Sequence, residues 1–156
     1  MDSGRPRTLL LPPLPYALAL LGGWWLDRDV ARIPLDLGIA GRGLAWLLAA
    51  AGFGLFAWAL ATLWRHHTTV NPYKAASELA TDGPFRFTRN PIYLGDWLLF
   101  AGVALLLKTA WPLVFGPIVW LAIRYGVIRH EEAHLETHFG ETYLAYRKRV
   151  PRWLGF

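Results

Sequence analysis

Long stretches with no charged side chain alternate with short, strongly charged ones. Residues 44–64 form a 21-residue window of this kind, and a helix needs only about 20 apolar residues to cross a ~30 Å hydrocarbon core. Residues 8–26 form a second window, interrupted by Pro12, Pro13, Pro15 and Gly22-Gly23. Prolines there predict an extended or kinked start before the helix. Residues 91–107 are apolar except for Asp96, and residues 109–128 except for Arg124. Lys108 and Thr109 leave little room for a connection, so the last two segments are expected to form a tight helical hairpin. The pattern predicts an all-α integral membrane protein with about four transmembrane helices, at 8–26, 44–64, 91–107 and 109–128.

Composition narrows the class further. Of 156 residues 54% are hydrophobic and only 17% are charged, against about 25% in soluble domains. With no Cys and a high apolar content, a disulfide scaffold, a coiled coil and a disordered chain are excluded. The length predicts a single domain over 1–156. A cleaved signal peptide is not expected, because Trp24-Trp25 and the Pro cluster stand where small cleavage-site residues would be.

Lys and Arg set the orientation. With the N-terminus inside, Arg5, Arg7, Arg65, Lys74, Arg86, Arg89, Arg129, Arg147, Lys148, Arg149 and Arg152 are cytoplasmic, while only Arg28, Arg32, Arg42 and Lys108 face the other side. Both termini are therefore expected in the cytoplasm. The net charge of +5 is accounted for by this basic face against anionic headgroups, so no nucleic-acid partner is expected. Usage rich in Ala, Leu, Trp and Arg points to a bacterial inner membrane.

Two cytoplasmic segments are longer than connections need to be. The loop at 65–90 is too long for structureless filler. The tail at 129–156 carries Leu135, Phe139, Tyr143, Tyr146 and Val150 at steps of three and four, one helical stripe with a bend expected at Gly140. This is either a helix lying at the interface or one that closes a site over the loop. Asp96 and Arg124, each about one turn inside its span, either pair with one another or face a substrate.

His130-Glu131-Glu132-Ala133-His134 satisfies the H-E-x-x-H pattern of zinc metalloproteases, in which two His one helical turn apart bind the metal. Glu132 in the middle and the want of a third ligand argue against it, so no metal is expected. Gly52-Phe53-Gly54-Leu55-Phe56-Ala57 matches a loose dinucleotide fingerprint but lies within an unbroken apolar span, where that mechanism cannot operate. Ala50, Gly54, Ala57 and Ala61 read instead as a close helix-packing face.

The block Gly83-Pro84-Phe85-Arg86-Phe87-Thr88-Arg89-Asn90-Pro91-Ile92-Tyr93-Leu94-Gly95 is followed, beyond a hairpin, by Glu131-Glu132, Leu135, Phe139-Gly140, Tyr143, Tyr146 and Val150-Pro151-Arg152. Together the two blocks resemble the isoprenylcysteine carboxyl methyltransferase and phospholipid methyltransferase superfamily of integral membrane enzymes. The resemblance covers roughly residues 65–154, and Thr69-Val70-Asn71-Pro72 looks like bacterial members of the group. It implies S-adenosylmethionine as methyl donor, bound at the cytoplasmic ends of the last helices by Gly83, Pro84, Phe85, Arg89, Asn90, Pro91, Tyr93, Leu94, Glu131 and Glu132. Asn90 stands where many relatives have His and cannot titrate. Arg152 and Glu132 are the candidate catalytic residues, with Arg152 a possible holder of an acceptor anion. Tyr143, Tyr146 and Arg149 are possible substrate contacts. The implied partner is a membrane-borne lipid or lipophilic acceptor, either a phospholipid amine or a prenylcysteine-like carboxylate. A zinc protease and a non-catalytic membrane protein that keeps the fold are the alternatives.

Overall fold

The computed structural model describes residues 10–68 and 78–155. Arg5, Arg7, Lys74, the Thr69–Pro72 motif and the start of the first window lie outside the described residues. Those described are helical, with no strand among them beyond an isolated antiparallel bridge between Pro34 and Thr109.

The first helix, α1 (Pro13–Asp29), starts at the Pro cluster, where a missing N–H costs nothing because the first turn has no intrahelical partner for it. Next, α2 (Gly38–Arg65) begins six residues before the window that predicted it. It is the one helix among the described residues long and apolar enough to cross a membrane on its own. At the hairpin, α3 (Pro91–Leu107) matches the expected bounds, with Pro91 at its first position and Lys108 in the left-handed conformation (φ 55°) turning the chain.

The fourth predicted span departs from expectation. It is a short α4 (Trp111–Val114), an interruption at Phe115, α5 (Gly116–Ile123) and a π-helical stretch at Arg124–Ile128. That stretch runs without a break into α6 (Arg129–Phe139). Pro117 has no N–H to give to the preceding turn, which breaks the helix there. The helices thus bear out an all-α architecture, while among the described residues only one of the four anticipated spans is long enough to cross unaided. Gly140 at φ 52° separates α6 from α7 (Glu141–Arg149), where the sequence placed the bend.

Packing is closest between α2 and α3. A Cβ added at Gly52 would sit 2.6 Å from the Gly95 carbonyl oxygen, and one at Gly102 would sit 2.7 Å from that of Ala45, so the two backbones touch. The buried small face of α2 is therefore Ala45, Gly52, Ala59 and Thr62. The face read from Ala50, Gly54, Ala57 and Ala61 is exposed, and a Cβ at Gly54 would meet nothing. Small residues occur on both sides of this helix, and only the side opposite Gly95 and Gly102 finds a partner that also lacks side chains.

On its other side α3 meets α1 and the α5–π segment. Tyr16, Ala19, Tyr93, Phe100, Val119, Ile123, Val127 and Ile128 form the main core there. A second cluster, made by Tyr143, Tyr146 and Val150 with Leu79, Leu135 and Phe139 packed against it, is the predicted tail stripe. Large apolar side chains such as Leu18, Leu21, Trp46, Phe53 and Ile118 point outward, an apolar perimeter suited to lipid.

Candidate active site

The polar centre forms where the loop before α3 meets α6 and the end of the chain. Gly83 begins a short 3-10 turn (Gly83–Arg86) at φ 53°, packed so tightly that a Cβ there would lie 2.5 Å from Thr62 Oγ1. Thr88 Oγ1 accepts from the Asn90 backbone N–H at 3.2 Å and donates to the Arg152 carbonyl at 2.8 Å. The Asn90 side-chain amide also donates to that carbonyl, at 3.1 Å, and the Arg89 N–H donates to the Pro151 carbonyl at 2.9 Å. Residues 88–90 and 151–152, far apart in sequence, are thereby laced together through the backbone carbonyls of Pro151 and Arg152. Pro84 and Pro91 are fully buried beneath them.

Glu132 is the node of this arrangement. Only 9% exposed, its carboxylate accepts from Arg89 Nη1 at 2.8 Å, from Arg152 Nε at 3.0 Å and from Arg152 Nη2. Arg89 also donates to the Tyr143 hydroxyl at 3.1 Å, and Tyr146 donates to the Phe85 carbonyl at 2.7 Å. One carboxylate thus receives two guanidinium groups, a charge-assisted and partly bidentate geometry. Its hydrogen bonds, and then its charge, hold Arg152 above the ordinary arginine range.

Glu131, the next residue, faces the helical core. Tyr93 donates its phenol proton to Glu131 Oε1 at 2.7 Å. Burial pushes the Glu131 carboxyl up to about 7; the Tyr93 hydrogen bond opposes that rise and the Glu132 charge adds to it. Adjacent carboxylates therefore differ sharply in character. Glu132 is neutralised by two arginines, while Glu131 has one phenol and titrates near neutrality.

Residues 41–142 match the phospholipid methyltransferase family. The chain belongs to that family. Two curated relatives support the placement, both protein-S-isoprenylcysteine O-methyltransferases. The Xenopus laevis protein is 30% identical over 95% of this chain and 53% of its own length. The Schizosaccharomyces pombe protein is 35% identical over 47% of this chain and 31% of its own length. The chain thus spans about half and about a third of the lengths of these two relatives. No solved structure matches.

Within this methyltransferase family framework, the structure brings together most of the residues singled out in the sequence. Arg89, Asn90, Tyr93, Glu131, Glu132 and Arg152 share one centre, and Gly83, Pro84, Phe85 and Pro91 shape the loop beneath it. Leu94 instead lines a groove of about 580 Å³ with Trp97, Gly116, Pro117, Trp120, Trp153 and Leu154. Tyr143 and Tyr146, anticipated as substrate contacts, are buried and tie the tail to the loop, while Arg149 bonds its own helix, at the Ala145 carbonyl. Thr88 was missed; its place two residues before Asn90, the N-cap of a Pro-started helix, is a side-chain turn signal that could have marked it.

Of the two readings of Asp96 and Arg124, the structure goes against pairing. Arg124 lies over the Trp120 ring at 4.7 Å and near the Tyr125 ring at 5.6 Å, and it makes no ion pair with Asp96. As for the H-E-x-x-H pattern, no group of three His, Asp or Glu among the described residues is arranged to hold a metal. Glu131 is taken by Tyr93, and His134 stacks on His138 at 5.8 Å, where burial and the His138 charge lower its pKa. The geometry gives the protease reading no support.

Proposed function

We propose that this protein is an S-adenosylmethionine-dependent methyltransferase acting at the membrane interface on a lipid or lipophilic acceptor. The observation that carries the reading is the Glu132 node. It locks the two family blocks together and leaves Glu131, beside it, with lone pairs to offer. The donor set fits the cofactor's chemistry. Glu131 can accept from an amine or ribose hydroxyls, and Arg89 keeps its buried Nε–H without a partner among the described residues. Phe85 and Phe87 offer aromatic surface for adenine or for the sulfonium. When bound, the cofactor supplies a methyl group activated for displacement. The chain's own residues bind, orient and exclude water, the main tasks in an in-line transfer.

Four helical segments crossing the bilayer, with the site and both termini in the cytoplasm of a bacterium, complete the proposal. At 17 residues each, α1 and α3 span about 25 Å at 1.5 Å per residue and need flanking residues or local thinning to cross. The groove beside Leu94 is lined in part by Trp153, the residue after Arg152, and its size suits one lipid chain, since ligand pockets run ~300–1,000 Å³.

Calorimetric titration of S-adenosylmethionine into detergent-purified protein tests the reading. Saturable binding is expected, weakened at least tenfold (~1.4 kcal/mol) by Glu131→Gln and by Arg89→Ala. No binding to a monodisperse sample that melts cooperatively would overturn it and favour a non-catalytic member of the family.

A further inference from the structure

Asp96 and Tyr16 stand outside the network described above, and both lack something. Asp96 is partly buried in α3, one turn beyond Tyr93, on a helix the sequence reads as membrane-spanning. No Lys, Arg or His among the described residues pairs with it, since Arg124 is engaged with rings. Tyr16 of α1 is only 6% exposed, and its hydroxyl is buried without any hydrogen-bond partner among the described residues. The two lie within electrostatic reach of one another, and Asp96 also acts on Tyr93. An uncompensated carboxylate and an orphaned hydroxyl in an apolar layer are each costly. Both shortfalls are met at once by a ligand that brings a cation with N–H donors.

The arginines point the same way. Both arginines of the centre, Arg89 and Arg152, already hold Glu132, so a carboxylate acceptor would have to share them with that anion. We infer that Asp96 and Tyr16 form a recognition site for the head of a lipophilic amine and not of a carboxylate. This rests on the methyltransferase reading and gives it an acceptor class. Asp96 is then a catalytic residue. Its carboxylate oxygen takes a proton from the bound ammonium, so that an N–H bond breaks, an O–H bond forms, and the nitrogen keeps the lone pair it needs as a nucleophile. Tyr16 holds the same nitrogen through its hydroxyl oxygen. Trp97, the neighbour of Asp96, lines the groove and packs edge-on against Tyr16 at 5.4 Å, so the polar pair and the chain-sized groove adjoin across one indole.

The test uses decylamine and decanoate as probes, each titrated calorimetrically into the full chain in neutral detergent without cofactor. Wild-type protein should bind decylamine at least tenfold more tightly than decanoate. Asp96→Asn should erase that preference, and Tyr16→Phe should weaken decylamine several-fold while leaving decanoate unchanged. Thermal melts of both variants check that they remain folded. Equal binding of the two probes by wild type, or an undiminished preference in folded Asp96→Asn, overturns the inference. S-adenosylmethionine titrated into the same preparations separates the causes. A wild type that binds the cofactor but shows no amine preference sinks this inference alone, whereas absent cofactor binding removes the reading beneath it and the acceptor role with it.

Discussion

The two ends of the helical body solve the same problem, joining segments distant in sequence, with different means. At the end away from the site, the end of α1 and the chain that follows it are tied to the turn after α3 by one buried hydrogen bond and by contacts near solvent. Thr109 donates to Asp27 at 2.9 Å, Lys108 pairs with Asp36 at 2.9 Å, and the Trp111 indole donates to the Ala31 carbonyl at 2.7 Å. At the site end, the loop before α3, α6 and the end of the chain converge on one buried carboxylate. Exposed pairs contribute little, because water and salt screen them and two long side chains must be ordered. Buried charges behave as a unit, since taking one away strands the others in a low-dielectric setting. The far end is therefore a fastening that tolerates change, and the near end is one that does not.

The largest expected effect follows directly. Glu132→Ala leaves two guanidinium groups without their anion, and breaking a buried pair of this kind costs about 3–5 kcal/mol. A severe drop in the detergent melting midpoint is expected. A drop no larger than that of an exposed variant would erase the contrast between the two ends.

Next in size is Glu131→Gln, with the opposite sign. The native carboxyl titrates near 7 and an unfolded one near 4.5, so the folded state holds more protons between those values. Wild-type stability should fall as pH rises through that window and level off above it. A Gln still accepts from Tyr93 but does not titrate. The variant should match wild type near pH 4 and exceed it by on the order of 2 kcal/mol at pH 8. That figure takes about 1.36 kcal/mol for each pH unit between the folded and unfolded values, discounted because Glu131 keeps some contact with solvent. Melting curves across pH read this out, and a constant difference at all pH values would refute it. Cofactor affinity, if Glu131 accepts from the amine, should rise with pH up to about 7 and then flatten.

How much of this was legible in advance follows the same division. The hairpin helix at 91–107 could be read to the residue, because Pro91 and the charged Lys108 mark its ends in the sequence itself. The tail stripe and its bend at Gly140 were equally plain, as a period of three to four leaves few alternatives. The π-helical stretch at Arg124–Ile128 had no local mark. It is a register adjustment at a packed surface, where a Cβ on Gly126 would come within 2.9 Å of Leu10. The packing face of α2 was misread for a related reason, since spacing finds small residues but not the neighbour that matches them. At the site, the two blocks named the participants. Which carboxylate would be shared between Arg89 and Arg152, and which would be left to Tyr93, depended on the direction in which α6 emerges from the π-helical stretch.

At the far end the effects should shrink. Asp27 is largely buried, with 18% side-chain exposure, and accepts from both the Ile33 N–H and the Thr109 hydroxyl, so Asp27→Ala should cost about 1–2 kcal/mol through two donors left unpaired. Melting midpoints read this out, and a loss as large as that of Glu132→Ala would place a second rigid fastening at this end.

Lys108→Ala should do least. Its ammonium and the Asp36 carboxylate are each 51% exposed, and Asp36 keeps a second partner in the Gly38 N–H at 2.9 Å, which also helps hold its carboxyl below the usual range. Losing the ammonium therefore strands nothing, and exposed pairs are worth little because water and salt screen them. Lys108 also occupies the left-handed turn at φ 55°, a conformation that Ala adopts no more readily, so the substitution isolates the charge. Lys108→Gly supplies the comparison, because relief of that backbone strain should offset the lost pair and leave the melting midpoint at or above that of the Ala variant. A large loss in Lys108→Ala that 0.5 M salt reproduces in wild type would show that the far end, too, depends on its charges.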